Sequence, residues 1–241
     1  MYSSLPGPIG IFDSGYGGLT VFDKIRERMP AYDYIYLGDN ARAPYGPRSF
    51  DVVYRFTRQA VMRLFAEGCQ LVILACNTAS AKALRTIQQR DLPVWDETRR
   101  VLGVIRPTVE LMDRISRSKH VGVVGTAGTI ASGSYQIEIA KMFPHIQVTS
   151  EACPMWVPLV ENNEFDSPGA DYFVRKYLDE LFRKDPLIDT LILGCTHYPL
   201  LIEKIRRYVP TGVTLLPQGE YVASSLEDYL YRHPEMDRKL T

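Results

Sequence analysis

Leu71-Val-Ile-Leu-Ala-Cys76-Asn77-Thr78-Ala-Ser80 runs from uninterrupted apolar side chains into a cysteine, then an amide and hydroxyls. An apolar run of this length bounded by polar residues predicts a buried strand of a parallel sheet. The capping residues behind it predict a helix start. The same plan returns in Leu191-Ile-Leu-Gly-Cys195-Thr196-His197-Tyr-Pro199, where the proline suits a first helical turn. Each cysteine is thereby placed where a strand ends and a helix begins. Open α/β sheets bind ligands at such ends, and a helix N-terminus favours a thiolate.

Working outward, Ile9-Gly-Ile-Phe12 is a short strand that enters the glycine-rich loop Asp13-Ser14-Gly15-Tyr16-Gly17-Gly18, followed by a helix from Leu19 to Arg28. Such a loop suits an anion, but it is neither a dinucleotide nor a P-loop fingerprint. Asp33–Leu37 alternates like a strand and leads into a polar loop containing Gly38-Asp39 and Pro44-Tyr45-Gly46. Helices are expected at 49–67 and 79–90, with Pro93–Thr98 as a connector. Further on, a strand is expected at 101–105 and a helix at 107–116.

Val121-Gly-Val-Val124 then answers Ile9-Gly-Ile-Phe12, and Gly125-Thr126-Ala-Gly-Thr129 answers the Asp13 loop. The glycines of these strands lie 112 residues apart and the two strand-end cysteines 119 apart, which indicates two similar α/β halves. The second half reads as a helix over 130–143, a strand near 146–149 and an irregular stretch over 152–161. Helices over 170–183 and 198–208, a last strand at 213–216 and a final helix complete it. Alternation of this kind predicts parallel sheets with helices on both faces.

Lys plus Arg and Asp plus Glu number 28 each, so charge gives no reason to expect nucleic acid as a partner. The opening Met1–Pro8 lacks the basic start and apolar core of a secretory leader. No run of about 18 apolar residues is present, so no membrane span and a cytoplasmic protein are expected. Four scattered cysteines form no disulfide framework, and they and the four histidines show no metal-ligand spacing, so no metal is expected. Cys69 and Cys153 read as small buried hydrophobes.

If the two halves face one another, Cys76 and Cys195 reach a ligand from opposite sides. One thiolate then removes a proton from a carbon while the other thiol supplies one, as inversion of a stereocentre requires. A free thiol is only a few per cent ionised at neutral pH, so the base needs help. His197 and Asp13 are the obvious neighbours, while Ser14, Asn77, Thr78, Thr196 and the Thr126 loop offer donors to a carboxylate.

Taken together, Phe12–Gly18, Gly38-Asp39, Pro44–Gly46, Ala75–Ala79, Gly125–Thr129, Val157–Glu161 and Gly194–Pro199 resemble the glutamate racemases, within the cofactor-independent aspartate/glutamate racemase superfamily. The resemblance covers most of the chain. It implies interconversion of L- and D-glutamate for bacterial peptidoglycan, with glutamate as the small-molecule substrate, no cofactor, and a homodimer. By resemblance, Cys76 and Cys195 are the acid/base pair, and Asp13 and His197 tune them. Ser14, Tyr45, Gly46, Asn77, Thr78, Thr126, Thr129 and Thr196 line the substrate with Asp13 and His197, and Glu161 and Asp39 contribute electrostatics. The resemblance also implies an α/β fold of two pseudo-symmetric domains, 1–105 with 216–241 and 106–215, around a cleft holding the site. The final strand and helix would return to the N-terminal domain. The end at Thr241 comes sooner than is common in the family, which reads as a missing closing element. Three other readings stay open: an aspartate-acting racemase, a hydrolase using Cys195 and His197, and a non-catalytic amino-acid-binding protein.

Overall fold

The computed structural model describes residues 5–241; Met1–Ser4 of the stretch read for a leader lie outside the described residues. The chain divides into two compact units, one formed by residues up to Val104 with Gly219–Thr241, the other by Ile105–Gln218.

In the first unit, β1 (Ile9–Asp13), β2 (Tyr34–Gly38), β3 (Leu71–Leu74) and β4 (Arg100–Gly103) pair in parallel in the order β2-β1-β3-β4. The strand pleat sends alternate side chains to opposite faces. Ile9, Ile11, Leu71 and Ile73 join one core with Val21 and Ile25 of α1 (Leu19–Arg28) and Val222 and Leu226 of the late helix. Phe12, Val72 and Leu74 join the other with Val53, Val61 and Leu64 of α2 (Phe50–Ala66). Burying each such side chain contributes roughly 1.5–3 kcal/mol, so both faces are specified and the register is fixed. Ser49 caps α2 by accepting the Val52 N–H at 3.4 Å. After β3 comes α3 (Asn77–Lys82). The helix expected to run on to residue 90 changes character at Ala83, and Leu92–Trp95 is helical rather than a connector, because Pro93 occupies its first turn.

The second unit opens with the short helix α4 (Ile105–Val109), and the helix expected over 107–116 is two separate turns. Its strands β5 (His120–Gly125), β6 (Gln147–Ala152), β7 (Thr190–Gly194) and β8 (Thr214–Leu216) pair in parallel in the order β6-β5-β7-β8. That is the order of the first sheet, so the suspected duplication appears in the topology. The expected helix 130–143 is α5 (Ala127–Ala131) and α6 (Ser134–Met142), separated at Gly133, whose φ of 64° lies in the left-handed region. The stretch expected to be irregular contains α7 (Trp156–Glu161), which packs the fully buried Trp156 edge-on against Tyr198, ring centroids 4.7 Å apart. Then come α8 (Pro168–Lys184), capped by Ser167 with Pro168 at its start, and α9 (Ile202–Tyr208).

One expectation is corrected. The final strand does not return to the first unit: Thr214–Leu216 pairs with Thr190–Ile192 of β7 and buries Leu216 there. The return comes at Gly219, with α10 (Gly219–Arg232), whose start packs so closely on α1 that a Cβ at Gly219 would fall 2.9 Å from the Thr20 carbonyl oxygen. The last residues lie at the N-terminal ends of β1 and β2, where Gly7 bridges Leu240 and the Asp33 N–H donates to the Thr241 carbonyl. No helix among the described residues is long and apolar enough to cross a membrane.

At the opposite end of the second sheet from the strand C-termini, the Asp189 carboxylate accepts the N–H groups of Arg117 (2.7 Å) and Ser118 (2.6 Å) and the hydroxyls of Ser116 and Thr190. Burial works to raise its carboxyl, but these bonds together outweigh it and hold the group at about 2, below the ordinary 3.8. A depressed carboxyl stabilises the fold above its unfolded pKa and loses that contribution as pH falls through the folded one. Solvent screens part of the effect, so Asp189→Ala is expected to lower unfolding free energy by about 1–2 kcal/mol at pH 7. Urea titrations should show the gap narrowing between about pH 4 and pH 2; an equal gap at pH 7 and at about pH 2 would contradict this account.

Candidate active site

In an open parallel sheet, ligands bind where consecutive connections leave two neighbouring strands in opposite directions. With order β2-β1-β3-β4, that point lies between β1 and β3. Asp13 ends β1 and Cys76 follows β3, so the topology brings the glycine-rich loop and the cysteine loop together. In the second unit the point lies between β5 and β7, beside Thr126 and Cys195.

Asp13 is fully buried and accepts the Gly15 N–H at 3.0 Å. Behind it, Gly18 is obligatory: a Cβ there would lie 2.4 Å from the Asp13 Cβ. Tyr36 of β2 donates its phenol to the Gly15 carbonyl at 2.7 Å, which fixes the loop from the far side. Cys76 caps α3, its sulfur accepting the Ala79 N–H at 3.4 Å and its thiol donating to Ser14 Oγ at 3.5 Å. The Ala79 N–H, and the hydrogen bonds that Ser14 can donate once the sulfur is ionised, favour the thiolate, as a helix start should, but they lose. Burial foremost, and then the charge of Asp13, push the Cys76 thiol up to about 11. The help that a helix N-terminus can give this sulfur is present in the Ala79 N–H, and burial with Asp13 outweighs it.

Asn77 and Thr78 form the first turn of α3, both buried. Buried Tyr45 and Gly46 lie on the loop after β2, where the Tyr45 phenol donates to Asp39 Oδ2 at 2.5 Å and Arg42 Nε reaches the same oxygen at 2.6 Å. Tyr45 packs with Phe12 and Cys76, so this loop belongs to the Cys76 cluster, and Asp39 anchors it. Arg48 closes the loop by donating to the Arg42 carbonyl (2.7 Å), and Lys82 of α3 donates to the Arg48 carbonyl (2.7 Å).

In the second unit, Thr126 caps α5 by accepting the Thr129 N–H at 3.2 Å, and the two hydroxyls lie 3.1 Å apart. Cys195 and Thr196 are buried at the end of β7, and His197 Nδ1 faces the Cys195 sulfur at 3.8 Å. The other ring nitrogen, Nε2, is 2.5 Å from Glu161 Oε1 at the end of α7. Trp156 against Tyr198 sets that pairing, since the two rings join the helix carrying Glu161 to the loop carrying His197. An imidazole held between a thiol and a carboxylate can accept the thiol's proton and return it. Glu161, expected only as background electrostatics, is thus a direct partner of His197. Cys69 and Cys153 are fully buried, and burial raises both thiols. No group of three or more His, Cys, Asp or Glu among the described residues is arranged to hold a metal ion.

Sequence reasoning does not reach Tyr36, Tyr135 or Gln218. Tyr36 is legible only as one position of an alternating strand, and Tyr135 and Gln218 carry no motif.

Strand-end loops built this way, two per sheet and one of each pair carrying a cysteine, define a class. The chain belongs to the Asp/Glu/Hydantoin racemase family, whose profile matches residues 9–223. It is 44% identical to a glutamate racemase of Roseobacter denitrificans over 238 residues, covering 95% of this chain and 87% of that protein. A solved glutamate racemase from Bacillus anthracis superposes with TM-score 0.87 at 37% identity over 94% of this chain and 82% of that one. Another, from Francisella tularensis in complex with D-glutamate, gives 0.85 at 33% identity over 95% and 82%.

The Asp13 charge also has a measurable consequence. Asp13→Asn removes a repulsive carboxylate, so the Cys76 thiol should ionise at lower pH. In a Cys195→Ser background, the midpoint of Cys76 alkylation by iodoacetamide is expected to shift down from about 11. An upward shift, or none, would show that Asp13 does not act on this thiol.

Proposed function

We propose that this chain is a glutamate racemase that interconverts L- and D-glutamate by two-base proton exchange at Cα, without a cofactor. The observation that carries this reading is the pair of cysteines at equivalent switch points of two sheets with one strand order. A nucleophilic hydrolase needs one such thiol, and a binding protein needs neither. Family membership and the likeness to glutamate racemases supply the substrate.

On this mechanism one thiolate removes the Cα proton, and the opposite thiol delivers its own to the other face. Cys195 exchanges its proton with His197, which Glu161 orients and steadies as the imidazolium. Cys76 sits beside Ser14 and under the influence of Asp13, an arrangement that keeps its proton available for delivery. Ser14, Tyr45, Gly46, Asn77, Thr78, Thr126, Thr129 and Thr196 contact the substrate, and Asp39 holds the Tyr45 loop. The carbanionic transition state gains from donors preorganised around the carboxylate. The D-glutamate so formed supplies peptidoglycan precursors. A cytoplasmic location and a homodimer belong to the same reading, on the family resemblance.

Incubation with L-glutamate in deuterated water tests it. Loss of optical rotation with deuterium at Cα is expected; folded protein that gives neither would end the proposal. Cys76→Ser and Cys195→Ser are each expected to lose racemisation by about 10²-fold or more. Full activity in either variant would exclude the two-base mechanism.

A further inference from the structure

One buried polar cluster of the second unit has no part in the chemistry above. Gln218, 3% exposed, is the last residue of that unit before the chain returns to the first. Its amide Nε2 donates to Thr108 Oγ1 and to the Tyr135 phenol, both at 2.8 Å. Thr108 is fully buried in α4, immediately after the chain enters the unit at Ile105. Tyr135, 1% exposed, lies at the start of α6. The amide therefore ties the entering segment, the leaving segment and Tyr135 to one nitrogen.

Tyr135 carries the tie to the active-site end of the sheet. Its ring lies so close to Gly194 that a Cβ there would be 3.2 Å from Tyr135 Cε2, and 2.9 Å from the Val124 carbonyl oxygen. Gly194 is the last residue of β7, and Cys195 is next. The backbone that aims the Cys195 sulfur is thus paired with β5 and packed by a tyrosine whose hydroxyl is bonded to Gln218. A buried amide with both hydrogens committed resists displacement, because any shift leaves a donor unpaired in a place water does not reach. Polar clusters of this kind hold one arrangement more firmly than apolar packing does.

We infer that Thr108, Gln218 and Tyr135 are positioning residues for Cys195: the cluster locks the end of β7 and so sets where the second thiol points. The inference rests on the proposed racemase reading for its functional meaning, and on Cys195 alone for its structural one.

The test uses Thr108→Val, which removes the hydroxyl at nearly constant shape, Thr108→Ser, which keeps it, and Tyr135→Phe, which keeps the ring against Gly194. Two quantities are measured: kcat and KM for racemisation of each enantiomer, and the alkylation rate of Cys195 and of Cys76 by peptide mapping after iodoacetamide. Thr108→Val and Tyr135→Phe should lower kcat by about tenfold with KM changed less than about threefold, the loss a slightly misaimed acid/base group gives. Cys195 alkylation should change severalfold while Cys76 alkylation stays as in the wild type, and Thr108→Ser should behave as the wild type. Unchanged kcat and Cys195 reactivity in Thr108→Val and Tyr135→Phe would overturn the inference. So would equal changes at both thiols, which would mark general loosening. If Tyr135→Phe fails to fold, the Val and Ser variants of Thr108 decide the matter. A wild-type protein that racemises nothing would defeat the proposed function, whereas the alkylation comparison would still decide whether the cluster aims Cys195.

Discussion

Everything at the candidate site depends on the pairing of the two central strands of each sheet. β1 beside β3, and β5 beside β7, are parallel neighbours whose following connections run to opposite sides. Because both faces of these strands are buried, a slip of one residue would exchange the two apolar cores, so the register is held by the whole unit. That register decides which residues emerge at the strand ends. In the first unit they are a carboxylate and a thiol; in the second, a threonine loop and a thiol with an imidazole two residues on.

Within that common frame the two thiols meet opposite surroundings. Burial and a neighbouring carboxylate keep Cys76 protonated, against the pull of the Ala79 N–H and Ser14. Tyr36 and Tyr45, other titratable groups near it, are themselves kept neutral by burial, so they add no negative charge to that of Asp13. Cys195 instead faces an imidazole backed by Glu161, with buried Cys153, Tyr135 and Tyr198 around it. One sulfur is placed to hold a proton and the other to exchange one.

The fold class and the strand-end location of both cysteines are legible in the sequence because they rest on local patterns: apolar runs for buried strands, and capping residues and glycine for the turns after them. The same patterns are blind where distant residues decide. The last strand looks like part of the returning segment, yet its pairing with β7 keeps it in the second sheet. The helix α7 escapes a local reading because Pro154 and Pro158 look like breakers, whereas burial of Trp156 against Tyr198 makes the turn helical. Of the site, the loop motifs identify Asp13, Cys76, Cys195 and His197. The pairing of Glu161 with His197 and the tie from Gln218 to Tyr135 span 36 and 83 residues, and no local spacing encodes them.

The asymmetry of the two halves follows from what two-base exchange demands. At any instant one sulfur must be a thiolate and the other a thiol, and an enzyme acting on both enantiomers must be able to exchange those roles. Two sulfurs in identical apolar surroundings would both stay protonated at neutral pH, since burial alone raises a thiol. Two sulfurs each beside a cation would both ionise. On the proposed mechanism, a carboxylate beside one and an imidazole beside the other distinguishes them. The imidazole is placed to accept its thiol's proton and return it, and the carboxylate disfavours ionisation of the other sulfur when that sulfur is the one to deliver. In the same proposed mechanism, a duplicated fold supplies the two thiols, and the divergence of its strand-end loops supplies the proton inventory.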